Sequence, residues 1–465
     1  MRVKNVSNNT VFVDDLDLHI ICDGNSIELS EDTLLKSRGL RSLIYNGQLK
    51  IVKYDLNVQI EKSIVFAMKE VGMAVVEEPE PIQSVSSGCE IEVKINGIFY
   101  EAGGYAKVNR YLAKNLVQKG VKVQIAPKKG QNQLNRDELE DIACLERTTI
   151  GRDYIGIDSI IPSFSESSSA KYKILYTTVE AYSLPTQFID CCKQYHEVWV
   201  TSNHGYLVLR KYIQNIPIYI VPTGVDPIIY NEDVEPVVFN PKLKDFVFLS
   251  VFGWSWRKGY DLLLKAYFEA FSNQDPVSLL MFSRYMQGIK PAHQQKIQQD
   301  IDKIIGKRDK NKLPHYKVSS KIAPENMMPQ IYSSCDAFVL ASRGEGTNLP
   351  VCEASLCGLP VISTNVSGQR IYLKHDNSYL IEKDRLANLA TGLCHVNFWD
   401  AQIMPSLSSQ KCVDDLSEHM RFVFENLEQA KQKNKRLQDL LLKKFNWMDA
   451  AELAFERLKK IKEKK

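Results

Sequence analysis

The stretch RGEGTNLPVCEASLCGLPVIST, Arg343–Thr364, decides the fold of the second half of this chain. It follows CDAFVLAS, a short apolar run of strand type, and it ends in the apolar run PVIST. Pro350 suits the first helical position, where the missing N–H would be unpaired anyway, and Gly358 suits the left-handed end of that helix. The pattern therefore predicts strand, loop, helix and strand, which is a right-handed crossover in a parallel sheet.

The loop GEGTNL lies at the carboxyl end of the first of these strands, which is where such sheets bind ligands. It opens onto a helix N-terminus, whose unpaired N–H groups and dipole favour an anion. Gly344 and Gly346 let the backbone approach a ligand closely, and Thr347 and Asn348 can cap the helix. We therefore expect a phosphate group at residues 346–349.

Two glutamates stand eight positions apart, Glu345 on the loop and Glu353 inside the helix. A carboxylate beside a phosphate is unfavourable unless it faces hydrogen-bond donors, and sugar hydroxyls are such donors. A pyrophosphate with a sugar on each side, which is a nucleotide-sugar, fits this layout. A simpler explanation stays open, in which Glu353 is a first-turn glutamate favoured by the helix dipole and Glu345 is a solvated loop charge.

The chain divides into segments of different character. Residues 1–54 contain short strand patterns and predict a small mixed α/β or mainly β module, whereas residues 55–89 predict a helix and a linker rich in Pro, Glu and Ser. From residue 90 onward, strands alternate with helices, which predicts α/β domains with parallel sheets covered on both faces. PTGVDPIIYN separates two such domains, at 90–225 and 226–425, and a helical, lysine-rich tail follows at 426–465.

The composition is that of a globular protein, with 465 residues of which 44% are apolar and 25% charged. A formal net charge of +3 gives no indication of nucleic-acid binding. No apolar run approaches the ~20 residues that cross a bilayer, and the N-terminus lacks the apolar core of a signal peptide. The ten cysteines show no metal-binding spacing, so we expect reduced, mostly buried thiols in a cytoplasmic protein.

Several motifs, in matching order, resemble the retaining glycosyltransferases of family 4, which have the GT-B fold. EGTNLPVCEASLCGLPVI is similar to their donor-site signature, and WRKGYDLLLKAY to their Arg-Lys-Gly phosphate segment. VPTGVDPIIYN resembles their interdomain turn, and FNWMDAAE their C-terminal Trp segment. Over residues 90–465 the resemblance implies two Rossmann-like domains facing a cleft. The acceptor would bind domain 90–225 and the nucleotide-sugar donor domain 226–425, with the helices of 426–465 packing back on the acceptor domain.

The resemblance also implies roles for single residues in the donor domain. Glu345 would face hydroxyls of the donor sugar, and Glu353 would hold the ribose. Lys258 and Arg257 would neutralise the leaving diphosphate, because fixed cations stabilise the charge that builds there. The pyrophosphate itself would bind the backbone amides of Gly346, Thr347, Asn348 and Leu349.

Three further candidates come from the first domain and from departures from the family pattern. Gly103 and Gly104 match a glycine loop that approaches donor and acceptor, with an ordinary tight turn as the alternative. Where many members carry a histidine near the acceptor, this chain reads LYTTVEAYSLP, so Glu180 is the candidate there, with a surface glutamate as the alternative. The usual phosphate arginine before Arg-Lys-Gly is absent, and Trp254 or Trp256 shapes the pocket or packs in the core.

The predicted activity is transfer of a sugar, of the hexosyl class, from a nucleoside-diphosphate-sugar to an acceptor hydroxyl with retention of the anomeric configuration. Neither a cofactor nor a metal is expected beside this co-substrate. The acceptor stays open among a glycan, a lipid, a protein and a modified nucleic acid. The alternatives are a GT-B-fold nucleotide-sugar epimerase and a non-catalytic GT-B-like binding or assembly protein.

Two segments outside the expected site could contact partners. The basic C-terminal tail could touch anionic membrane lipids and place a cytoplasmic enzyme at the membrane periphery, or it could be a solvated helix face. Residues 1–89 could recognise an acceptor or a partner, or set the oligomeric state, and their sequence does not choose among these.

Overall fold

The computed structural model describes most of the chain from residue 91 onward: residues 91–128, 139–162, 169–284, 291–320, 327–388 and 403–463, with Leu134 and Arg136. Before these it describes only the backbone of five short strands, β1 (Arg2–Asn5), β2 (Val11–Val13), β3 (Leu18–Ile20), β4 (Ser26–Glu28) and β5 (Leu49–Lys53). β1 pairs with β4 and β5, and β2 with β3, all antiparallel. These confirm the short strands predicted there, whereas the predicted helix and linker at 55–89 lie outside the described residues.

The first large sheet has six parallel strands in the order β11-β10-β9-β8-β6-β7. They are β6 (Glu92–Gly97), β7 (Lys122–Pro127), β8 (Ile155–Ser159), β9 (Tyr172–Thr177), β10 (Glu197–Val200) and β11 (Ile218–Ile220). Along β9, Ile174 and Tyr176 belong to the apolar cluster on one face of the sheet and Leu175 to the cluster on the other. The helices that cover it are α1 (Gly104–Gln118), α2 (Glu140–Ala143), α3 (Thr186–Cys192) and α4 (Asn203–Arg210).

The second large sheet also has six parallel strands, in the order β14-β13-β12-β15-β16-β17. They are β12 (Phe246–Gly253), β13 (Val277–Arg284), β14 (His315–Ser319), β15 (Ala337–Leu340), β16 (Val361–Thr364) and β17 (Tyr379–Ile381), followed by the antiparallel pair β18 (Leu386–Asn388) and β19 (Ile403–Pro405). The helices around it are α5 (Tyr260–Ala270), α6 (Pro291–Ile305), α7 (Met328–Ser333), α8 (Leu349–Leu356) and α9 (Gln410–Glu425).

This strand order places the predicted site residues of the second domain together. The chain starts at β12, adds β13 and β14 on one side, and then adds β15, β16 and β17 on the other. Sheets of this kind bind ligands outside the carboxyl ends of the strands, where the order reverses, which is between β12 and β15. The loop after β12 carries Arg257 and Lys258, and the loop after β15 carries Glu345. The predicted architecture of two Rossmann-like parallel sheets is confirmed.

The C-terminal tail divides between the two domains. Helix α10 (Leu427–Lys444) packs on the second domain, where Asn434 accepts a 2.8 Å hydrogen bond from the Ser355 hydroxyl of α8. Helix α11 (Trp447–Glu463) packs on the first domain, where Arg457 pairs with the buried Glu197 at 2.6 Å. Between these two helices, the chain runs beside the segment PTGVDPIIYN that separates the two domains. The N–H of Val225 in that segment donates to the carbonyl of Phe445 at 2.7 Å.

Candidate active site

Arg343 belongs to the loop after β15, is fully buried, and fixes the position of that loop. Its guanidinium forms two parallel bonds to Asp261, at 2.7 and 2.8 Å, and lies over the Trp256 ring at 3.8 Å. It also donates to the carbonyls of Trp256 and Ser406, at 2.7 and 2.8 Å. Arg343 therefore fixes three segments of the second domain around the loop. The sequence gives no local sign of this role, because Asp261 stands 82 positions away in the chain.

Glu345 and the two cations predicted to act with it lie in contact. Lys258 Nζ is 2.6 and 2.8 Å from the two carboxylate oxygens of Glu345, and Arg257 Nη1 is 3.8 Å from one of them. The tight turn before α5 brings them there; it ends at Gly259, whose φ of 71° and contact with the Ala341 carbonyl leave no room for a Cβ. Burial acts to raise the pKa of Glu345, but Lys258 and Arg257 outweigh it and hold that pKa below its usual value. Glu345 is therefore an ionised carboxylate.

Glu180 reaches the same cluster from the first domain. It follows β9, and its Oε1 lies 3.1 Å from Arg257 Nη1. Its Oε2 is buried and has no hydrogen-bond partner among the described residues. Burial raises the pKa of this carboxyl group, and the nearby Arg257 only partly opposes the shift. Glu180 is thus a cleft residue with one acceptor oxygen unused, rather than a surface glutamate.

Glu353 lies in α8 and is held by a second set of partners. Lys107 Nζ, from α1 of the first domain, is 2.7 Å from its Oε1, and the Tyr332 hydroxyl donates to its Oε2 at 3.1 Å. Lys107 also donates to the Tyr230 hydroxyl at 2.8 Å. Glu345 and Glu353 are therefore separate anionic points on the same edge of the second sheet. Lys107 did not emerge from the sequence, since its partner stands 246 positions away.

The start of α8 carries unused hydrogen-bond donors. None of the hydrogen bonds formed within the described part of the chain uses the backbone N–H groups of Gly346, Thr347, Asn348 and Leu349, all of which are buried residues. The capping prediction was wrong: Asn348 takes the N-cap position at a φ of 57°, but its side chain donates to Gln369 at 2.7 Å instead. Pro350 is the second helical residue, not the first. Buried, unpaired donors at a helix start are a binding feature for an anion.

The glycines of the site differ in what surrounds them. At Gly103 and Gly104, which are exposed at the start of α1, an added Cβ would meet nothing within 4 Å. Packing within the chain therefore gives no reason for glycine there, and close approach of a ligand would. At Gly344 an added Cβ would lie 2.6 Å from the Glu180 carbonyl, and at Gly346 it would overlap the Thr178 hydroxyl.

The cleft expected between the domains is therefore filled by the chain itself. The loop carrying Thr178 and Glu180 lies directly against Gly344 and Gly346. Among the described residues, cavities along the contact lie beside Thr347 and beside Glu353, each with a volume of about 10 Å³. Both are far smaller than the roughly 300–1,000 Å³ of common ligand pockets, so a ligand of that size enters here only if the domains separate.

The structure also shows where the two tryptophans and the cysteines of the sequence predictions lie. Trp254 is a core residue, 2% exposed and stacked on Tyr260, whereas Trp256 supports Arg343. Of the seven described cysteines, all are unpaired and five are buried, as predicted. No described group of three or more His, Cys, Asp or Glu side chains could hold a metal ion. Within the same residues, no helix combines the length and apolar character needed to cross a membrane.

Comparisons with known proteins show what the second domain is similar to. Residues 244–396, which include the whole second sheet, match the family model for glycosyl transferases group 1. One curated relative is UDP-Gal:alpha-D-GlcNAc-diphosphoundecaprenol alpha-1,3-galactosyltransferase of Escherichia coli, which is 26% identical over 263 residues. That match covers 54% of this chain and 61% of the relative, so it spans less than two thirds of the relative's length.

Solved structures establish the fold of the whole pair of domains. HepE of Anabaena, in complex with UDP and glucose, matches 80% of this chain and all of its own with a TM-score of 0.54 and 12% identity. Sucrose-phosphate synthase of Thermosynechococcus elongatus matches 81% of this chain and all of its own with a TM-score of 0.56 and 16% identity. The motif resemblance to GT-B glycosyltransferases is confirmed, while assignment to family 4 stays a prediction.

Proposed function

We propose that this chain, a GT-B protein with a glycosyl transferases group 1 domain, is a retaining hexosyltransferase that uses a nucleoside-diphosphate-sugar. One observation carries the proposal: among the described residues, no hydrogen bond uses the backbone N–H groups of residues 346–349, which are buried residues that follow the carboxyl end of β15. In the chain these amides directly follow Glu345, which contacts Lys258, and precede Glu353. A diphosphate supplies the acceptor oxygens that these donors lack.

The cations and the carboxylates have complementary tasks in this proposal. Arg257 and Lys258 neutralise the charge that develops on the departing diphosphate, which lowers the barrier to breaking the glycosidic bond. Glu345, kept ionised by the same two cations, accepts hydrogen bonds from the hydroxyls of the transferred sugar. Glu353 accepts hydrogen bonds from the ribose. Gly103 and Gly104 leave open backbone for the donor and the acceptor to approach.

Two relatives indicate which nucleotide to test first. The Escherichia coli relative is named for transfer from UDP-galactose, and the Anabaena structure contains UDP and glucose. Both support a uridine nucleotide as the first candidate donor. Neither determines the sugar, which depends on groups that face its hydroxyls.

For the acceptor step, we propose that Glu180 orients the incoming hydroxyl through its unused Oε2. Attack from the face that the leaving group occupied retains the anomeric configuration, and the departing phosphate oxygen takes the acceptor proton. No enzyme carboxylate has to act as the base. Because water is also an acceptor, contact between the domain loops limits hydrolysis of the donor.

The first experiment measures binding and turnover separately. UDP, GDP and ADP are titrated calorimetrically into the wild-type protein and into Glu353→Gln, with Glu382→Gln, an exposed glutamate paired to His375, as the matched control. We expect one nucleoside diphosphate to bind the wild type and the control equally, and to bind Glu353→Gln at least ~10-fold more weakly because each lost charged hydrogen bond contributes about 1.5–3 kcal/mol. Absence of binding by all three nucleotides contradicts the proposal.

The second experiment follows the sugar itself. Slow hydrolysis of the cognate sugar nucleotide is expected in the wild type and is expected to fall ~10²–10³-fold in Glu345→Gln, since the sugar loses a fixed electrostatic partner. Equal rates in the two proteins contradict a catalytic role for Glu345. An epimer formed without any acceptor identifies the epimerase instead, and tight binding with no turnover identifies the binding protein.

A further inference from the structure

Lys107 is a first-domain side chain that lies inside the candidate donor site. It projects from α1, and its ammonium is 2.7 Å from Glu353 Oε1 and 2.8 Å from the Tyr230 hydroxyl, both in the second domain. The Lys107 and Glu353 side chains are only 11% and 12% exposed. The ammonium also lies 4.5 Å from the centre of the Tyr230 ring. This is a buried ion pair that spans the two domains.

The same carboxylate has a different partner under the proposed function, on which this inference rests. Glu353 would accept hydrogen bonds from ribose hydroxyls, but one of its oxygens is taken by Lys107 and the other by the Tyr332 hydroxyl. A carboxylate oxygen can accept two hydrogen bonds, so the two ligands compete for space and not for lone pairs. The Glu353 side chain is only 12% exposed, and the cavity beside it, of about 10 Å³, is too small for a ribose. A ribose therefore reaches Glu353 Oε1 only when the Lys107 ammonium moves away.

The surroundings of the pair show where the competitor would enter. A cavity of about 10 Å³ is lined by Lys107, Tyr230, Glu353 and Leu349, among others. Leu349 is the last of the four residues whose backbone N–H groups have no partner in the described part of the chain, so the cavity lies next to the proposed anion site. Lys107 is the residue of α1 that lines this cavity.

We propose that Lys107 is a further donor-site residue that substitutes for the ribose on Glu353 while the donor is absent, and that the donor must displace it. Breaking a buried ion pair leaves an uncompensated charge. Lys107 therefore leaves Glu353 only when the domains separate or when another hydrogen-bond donor takes its place. The measured affinity for a nucleotide is then the intrinsic affinity reduced by the fraction of protein in the separated state. Lys107 thereby sets the threshold concentration at which the donor binds.

Simple electrostatic attraction makes the opposite prediction. A cation at the rim of a phosphate site raises the affinity for an anionic nucleotide, so its removal should weaken binding. Displacement instead predicts that Lys107→Met binds more tightly. The uncharged nucleoside separates the two most clearly, because attraction to phosphate cannot act on it.

The test titrates whichever of UDP, GDP and ADP binds the wild type best, together with its nucleoside, into Lys107→Met, Lys107→Gln and the wild type. The control is Lys114→Met, on the same helix, where Lys114 pairs with Asp141 at 2.6 Å inside the first domain. We expect Lys107→Met to bind both ligands at least ~5-fold more tightly, Lys107→Gln to be intermediate, and Lys114→Met to match the wild type. Donor-free Lys107→Met should also show a larger radius of gyration by small-angle X-ray scattering, because the pair no longer holds the domains together.

Unchanged or weaker binding in Lys107→Met, with the wild type binding normally, overturns the inference and leaves the proposed function standing. Absence of binding in every protein overturns the proposed function, and the inference with it. Lys107→Gln keeps a neutral donor of similar length, so it provides the same comparison if the methionine variant does not fold.

Discussion

Arg343 illustrates how one buried charge can organise a site without touching a substrate. Its guanidinium is fully buried, paired with Asp261 through two bonds and bonded to two backbone carbonyls. Arg343→Met leaves Asp261 without its partner, so we expect the free energy of unfolding to fall by about 3–5 kcal/mol. Urea denaturation followed by tryptophan fluorescence measures this change.

The control for Arg343 is Arg308→Met, because Arg308 forms a half-exposed pair with Glu269 at 3.7 Å. Exposed pairs contribute little, so its loss should change the free energy of unfolding by no more than about 1 kcal/mol. Equal effects of the two substitutions would mean that burial of Arg343 has no special consequence. Retained activity in a stable Arg343→Met would show that the loop does not need this anchor.

At the same scale, some residues could be identified from the sequence and others could not. Glu345, Arg257 and Lys258 follow adjacent strands of a parallel sheet, so a strand pattern and a motif suffice to bring them together. Lys107 and Arg343 pair with residues 246 and 82 positions away, and the sequence around either residue does not indicate the pairing. Asn348 shows the limit of local rules: it takes the expected cap position, but Gln369 offers its side chain a better partner.

Among the elements, the strands were the most predictable because both faces of each sheet are buried. The apolar runs CDAFVLAS and PVIST, for example, contain β15 and β16. β8, Ile155–Ser159, was not singled out from the sequence, since its run includes a glycine and an aspartate. The division of the C-terminal tail was also not evident, because both α10 and α11 are amphipathic, lysine-containing helices and the local sequence does not show which domain each one contacts.

The loop between β9 and α3 provides a prediction about pH. His204, at the start of α4, contacts the Ala181 carbonyl of that loop at 2.8 Å, and burial lowers the pKa of His204 from 6.5 to about 4. A folded-state pKa below the unfolded value contributes stability that is present above pH 6.5 and is lost as the pH falls through 4. The difference corresponds to about 3 kcal/mol for this one group.

Urea titrations from pH 7.5 to 4 therefore separate His204 from the other acid-sensitive groups. We expect His204→Gln to lose less stability than the wild type over this range, with most of the difference developing below pH 6.5. His375→Gln, an exposed histidine beside Glu382, should follow the wild type. Parallel curves for the wild type and His204→Gln would show that His204 is not neutral in the folded protein.

At the scale of the whole molecule, ion pairs connect the two domains, and each domain supplies the cation of one pair and the anion of another. Lys107 of the first domain pairs with Glu353 of the second, and Glu180 of the first with Arg257 of the second. The sequence motifs predict Glu345, Glu353, Arg257 and Lys258 one by one, but not that groups of the two domains pair with one another when the sugar donor is absent. The number of domains and their sheets followed from alternating patterns, whereas their close contact depends on these pairs and on glycines that admit the opposing loop.

Binding of a diphosphate to the backbone amides of residues 346–349 can be tested directly, because hydrogen–deuterium exchange reports on those N–H groups. Mass spectrometry of peptides covering residues 343–352 is carried out with and without a saturating nucleoside diphosphate, with saturation established by calorimetry. Docking at these amides predicts that deuterium uptake in these peptides falls by up to four sites, since the unpaired donors gain phosphate acceptors. Saturated binding with unchanged uptake in this segment would contradict the claim and place the nucleotide elsewhere.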